Sequence, residues 1–98
     1  MVIRRTPARS LGDIIAEYLD QSGLSTHLKE RELIRTWDEV VGKTIARTTQ
    51  SIYIKDRKLF VTIRSSVVRN ELLMIREGLR DELNRRIGVN LVDEIVIR

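Results

Sequence analysis

Between Ser65 and Gly88 the apolar residues Val68, Leu72, Ile75, Leu79, Leu83 and Ile87 recur at steps of four, three, four, four and four. That spacing predicts one continuous apolar stripe on an α-helix of about six turns. Ser65 or Ser66 can cap its start, because a hydroxyl oxygen accepts from an unpaired first-turn amide. Gly88 is placed to end it in a left-handed conformation, behind Arg85 and Arg86, whose charges suit the negative end of the helix dipole. About six turns is twice the usual helix length. Most of the other apolar residues are therefore needed to cover this stripe, and the helix is expected to lie at the centre of the fold.

The remaining apolar residues suffice for that. The chain has 98 residues, 42% of them hydrophobic, enough for one domain with a real core. Only 4% are aromatic, so the core is aliphatic. Cysteine is absent, which excludes disulfides and thiol chemistry and fits a reducing compartment. Neither a membrane-length apolar run nor a signal sequence is visible, so a cytoplasmic location is expected. The net charge of +4 and a pI near 10 are compatible with nucleic acid without demanding it.

Along the chain, residues 1–10 contain Arg4, Arg5, Arg9 and the single proline, Pro7, without periodicity. They are expected to form a basic N-terminal arm, either a solvated leader or a phosphate contact. Residues 11–98 are expected to form the folded domain. Ser10 caps a first helix whose Leu11, Ile14, Ile15, Tyr18 and Leu19 share a face and which Gly23 stops. Ser25 or Thr26 caps a second helix bearing Leu33, Ile34, Trp37, Val40 and Val41, closed by Gly42. Trp37 reads as a core residue with its N–H bonded, ahead of a base-stacking platform. His27, the single histidine, reads as a surface residue.

From Ser51 the period becomes two. Ser51–Lys55 and Leu59–Arg64 alternate around the turn Asp56-Arg57-Lys58, which predicts a β-hairpin with Lys55, Arg57 and Lys58 at its tip. Such a tip is either simply hydrated or a binding tip. Val89–Arg98 reads as a last strand, lying parallel to one hairpin strand. The expected fold is α+β, with order α-α-β-β-α-β and helices on one face of a three-stranded mixed sheet.

Chemistry-bearing patterns are sparse. Glu77 and Asp81 lie four residues apart but are flanked by Arg76 and Arg80, as on a hydrated, ion-paired helix face. There is no Gly-rich phosphate loop, and the lone histidine has no nucleophile at a telling spacing. The chain is expected not to be an enzyme and to need no metal or cofactor. The positive signal is Arg69, Arg76 and Arg80, at steps of seven and four, with Arg64 at the end of the preceding strand. These guanidiniums either follow a nucleic-acid backbone or an acidic protein, or cover the core with their stems and pair locally. On spacing alone the covering role has the edge.

The segments Trp37-Asp38-Glu39-Val40-Val41-Gly42, Ile45–Thr49, Leu59–Ile63 and Ser65-Ser66-Val67-Val68-Arg69-Asn70-Glu71-Leu72 together resemble the DciA family of bacterial proteins. The resemblance covers nearly all of residues 11–98. It implies a KH-like fold. This sequence contains no G-x-x-G, so the loop with which KH domains clamp nucleotides is missing. The resemblance also implies a non-enzymatic adaptor that binds the replicative DNA helicase and assists its loading onto single-stranded DNA. Trp37, Gly42, Glu71 and Leu72 are the family-like positions, read first as fold residues, with Glu71 in the first turn of the long helix. Some relatives carry a further extension, and the hairpin turn here lacks the family's common glycine. The alternative reading is a free-standing module that binds single-stranded DNA or RNA through its basic surface, and a scaffold without any nucleic-acid role is a third.

Overall fold

A computed structural model describes residues 10–98, so Arg4, Arg5 and Arg9 lie outside the described residues. The elements run α1 (Leu11–Ser22), α2 (Leu24–Val41), α3 (Lys43–Thr48), β1 (Thr49–Lys55), β2 (Lys58–Ile63), α4 (Ser66–Met74), α5 (Arg76–Ile87) and β3 (Glu94–Ile97). The fold is α+β in the expected order, with a short α3 added before the hairpin and the long helix divided in two.

The sheet has the order β1-β2-β3. β1 pairs antiparallel with β2, Tyr53 opposite Phe60 and Lys55 opposite Lys58, and β3 pairs parallel with β2, Ile95 opposite Leu59. Alternation turns Ile52, Ile54, Leu59, Val61, Ile63, Ile95 and Ile97 to one face, where they join Leu33, Trp37, Leu72, Leu79, Leu83 and Ile87 in a single core. All of the helix–sheet packing is on that face. The helices between β2 and β3 supply the crossover that a parallel pair needs, since a short turn can link only antiparallel neighbours.

The long helix breaks at Ile75, which has φ −111° and ψ 15° and donates its N–H to Leu72 O at 3.2 Å, a bond to the third residue back. One tight turn re-aims the chain. α4 leans on β2 and β3, while α5 lies along α2 and also packs on β3. The β-branched Ile75 with Gly78 just beyond it makes this the weakest point of the helix. Ile75 consequently leaves the expected core position and is 55% exposed. The stripe continues from Leu72 to Leu79 without it.

Most of the expected caps are in place. Ser10 Oγ accepts from Asp13 N at 3.0 Å, and Ser65 Oγ from Val68 N at 3.3 Å. Gly23, Gly42 and Gly88 all have positive φ at helix junctions. α2 differs: it begins at Leu24, straight after the left-handed Gly23, and neither Ser25 nor Thr26 caps it. Leu11, Ile14 and Ile15 also differ, because the face they share is exposed instead of buried. α1 packs on α2 and stands away from the sheet. The side chains of Tyr18 and Leu19 lie outside what is described.

Two polar side chains tie the core together. Trp37 is buried, and its Nε1 donates to Thr49 Oγ1 at 3.1 Å, joining α2 to the start of β1. Asn84 is buried on α5. Its Nδ2 donates to Val92 O at 2.9 Å, and its Oδ1 accepts from Leu91 N at 3.0 Å and Val92 N at 3.1 Å. These three bonds shape the segment that carries the chain from α5 into β3. Only the end of the expected Val89–Arg98 strand is therefore β-structure.

Candidate nucleic-acid interface

The hairpin turn is the two-residue pair Asp56-Arg57, both with positive φ (52° and 62°), which matches the right-handed twist of the flanking strands. Neither residue is glycine, and an interaction at Arg57 offsets the backbone cost. Its Nε and Nη2 grip Asp93 Oδ2 and Oδ1 at 2.9 and 2.8 Å, and Nη2 also donates to Asn90 O at 2.7 Å. This two-pronged bond lowers the Asp93 carboxyl below its ordinary range and raises the Arg57 guanidinium. Arg57 thus clamps the turn to the α5–β3 connection. Lys58 belongs to β2, and Lys55 and Lys58 are left exposed at the tip, facing each other across the ladder.

The arginine row is distributed over two helices. Arg69, on α4, is partly buried and donates from Nη2 to Ile63 O at 2.7 Å, bracing the helix start against the end of β2. Arg80, on α5, binds Asp81 Oδ1 from Nε at 3.0 Å and Asp93 O from Nη1 at 3.3 Å. Arg76 and Arg80 line a shallow cleft of ≈ 220 Å³ with Glu77, Asp93, Glu94 and Ile95. Three carboxylates against two guanidiniums make that cleft a poor seat for phosphate. Arg64 is exposed and donates from Nη2 to Arg47 O. The structure brings Arg57, Arg76 and Arg80 to one end of the domain around Asp93, and leaves Arg64 and Arg69 at the far end of β2.

Of the family-like positions, Trp37 and Leu72 are buried and Gly42 (φ 88°) ends α2, its N–H donating to Asp38 O at 2.9 Å. Glu71 is exposed in the second turn of α4, because that helix starts at Ser66; the first turn holds no acid. His27 is exposed, with Nδ1 3.3 Å from Glu30 Oε1.

Sequence reasoning passed over the face of the sheet that no described helix covers. Tyr53 and Phe60 stack there, with ring centroids 4.9 Å apart and planes 11° from parallel. The Arg98 guanidinium carbon lies 5.3 Å from the Phe60 centroid, and its Nη2 donates to Tyr53 Oη at 2.8 Å. The signal was present in the alternation itself: if Ile52, Ile54, Leu59 and Val61 point inward, Tyr53 and Phe60 must point outward.

Among the described residues no three His, Cys, Asp or Glu side chains are placed to share a metal ion, and no helix is long and apolar enough to cross a membrane. Fold and surface together define a small α+β domain with one helix-covered sheet face, one open sheet face, and cations at both ends of β2. Its relatives narrow that class. The chain belongs to the DciA family, described as Dna[CI] antecedent, whose pattern matches residues 10–97. It is also similar to a UPF0232 protein of Corynebacterium glutamicum (strain R), with 29% identity over 90 residues that span 92% of this chain and 51% of that one. The chain thus spans about half the length of that relative.

Proposed function

We propose that this protein is a non-enzymatic adaptor of DNA replication, which binds the replicative DNA helicase and assists its loading onto single-stranded DNA. The observation that carries the reading is the family match across residues 10–97, nearly the whole chain. The charge supports it: at +4 overall, a contact with DNA is electrostatically favoured but weak and sensitive to salt. Residues 11–98 act in this reading as one KH-like domain that holds the helicase, and residues 1–10 as a basic arm that adds Arg4, Arg5 and Arg9 to the DNA contact. Among the domain's cations, Lys55 and Lys58 are the better placed for partners, whereas Arg64 is bonded to Arg47 O and Arg76 lies in the acidic cleft. Arg57, Arg69 and Arg80 also serve the fold through the bonds described above.

The test is retention of the host's replicative helicase by the immobilised full chain, with and without single-stranded DNA. Retention at micromolar helicase, increased by DNA, is the expected result. A bead-bound protein that is folded yet holds no helicase under either condition removes the loading role.

A further inference from the structure

The chain contains one tryptophan, one phenylalanine and two tyrosines. Half of these scarce aromatics, Tyr53 and Phe60, stand on the sheet face that no described helix covers, and Tyr53 is 41% exposed. Stacking on Phe60 hides one face of the Tyr53 ring. The other face looks outward, because β1 is an edge strand. Arg98 lies over Phe60 and bonds the Tyr53 hydroxyl, so its planar guanidinium bridges the two stacked rings.

The next rung of the same face carries Lys55 directly opposite Lys58. Like charges facing each other across a strand pair are unfavourable unless an anion lies between or above them. Glu94, beside Lys58 in the ladder, offsets one of the two, and Asp56 sits in the adjacent turn. With Arg98 the face still holds more positive than negative charge. Exposed flat rings bordered by cations on an open sheet are what a single strand needs, since bases stack on rings without sequence preference while phosphates seek the charges.

We infer that the open sheet face is a stacking platform for single-stranded DNA. A base lies on the outer face of Tyr53, and Lys55, Lys58 and Arg98 receive the neighbouring phosphates. The inference rests on the DNA-contact part of the proposed function and gives that contact a location. It also explains why Arg98 is held over Phe60 and bonded to Tyr53 Oη: the guanidinium is fixed in place before a strand arrives.

The test is a fluorescence-anisotropy titration of the full chain with fluorescein-labelled dT15, and with rU15 as a second arm. Tyr53→Leu keeps an apolar strand residue but removes the ring, and should weaken dT15 binding about five-fold or more, the scale of one lost base stack. Tyr53→Phe keeps the ring and should bind within about two-fold of the parent. The salt dependence of Tyr53→Leu should equal the parent's, whereas joint replacement of Lys55, Lys58 and Arg98 by Gln should flatten it. Thermal unfolding checks that each variant is folded. If Tyr53→Leu does not fold, displacement of the Tyr53 and Phe60 ring proton resonances of the parent by dT15 decides instead.

A folded Tyr53→Leu protein that binds dT15 as tightly as the parent overturns the platform and leaves the rings as a strand-pairing device. So does parent binding of rU15 alone, or of neither strand at low salt. Helicase retention is measured separately on the same proteins. Retention with a dT15 affinity indifferent to Tyr53 defeats only the platform, and Tyr53-dependent dT15 binding without retention defeats only the loading role.

Discussion

Asn84 is the buried polar side chain on which the α5–β3 connection depends. Replacing it with Ala leaves the Val92 amide and carbonyl without their partner inside the protein, while the Leu91 amide keeps its 2.9 Å bond to Val89 O. An unpaired buried polar group costs about 1–3 kcal/mol, and the segment can shift to rehydrate part of the loss. Asn84→Ala should therefore lower stability by about 3 kcal/mol, read as the shift of a urea unfolding curve. Glu82 governs a different property. Hydrogen bonds from Arg85 and then Arg86 hold its carboxyl at about 2 instead of the ordinary 4.5. The ionised form thus favours the native state, with its contribution complete above pH 4.5 and lost as pH falls toward 2. In Glu82→Gln the unfolding midpoint should fall less steeply through that window than in the parent. Parallel curves for the two proteins would mean the ion pairs add nothing on this exposed surface.

At the scale of elements, the bend between α4 and α5 governs how the core closes. Gly78 lies in the first turn of α5, with open space where a Cβ would go and an ordinary helical φ. Gly78→Ala should stabilise the protein by about 1 kcal/mol, through helix propensity and a less disordered unfolded chain, measurable by thermal or urea unfolding. The sequence carried the apolar stripe, the caps Ser10 and Ser65, the stops Gly23, Gly42 and Gly88, and the parallel third strand, because all of these follow from local periodicity or chain connectivity. It did not carry the bend: a stripe spaced for one helix is also satisfied by two that share a face on either side of Ile75, and the choice is made by what each half packs against. Asn84 and the Arg57–Asp93 clamp were hidden for a related reason. The clamp joins residues 36 apart, and nothing local marks either partner. The arginine spacing identified cations correctly but not which of them the fold itself employs.

For the molecule as a whole, the helices divide the labour unequally. α2 and α5 with the sheet enclose the core, whereas α1 packs on α2 and shows Leu11, Ile14 and Ile15 to solvent. Among the described residues the three-stranded sheet is open on both flanks, since β1 and β3 each have a strand neighbour on one side only. An unpaired strand flank invites another chain to continue the ladder, and from there to fibres. Here the register slips between Thr49 and Ser51, Lys55 stands at the other end of β1, and β3 is only 4 residues long. Neither flank offers a flat, uncharged template of useful length. Both flanks are thereby poor templates for edge-to-edge pairing between copies of the domain.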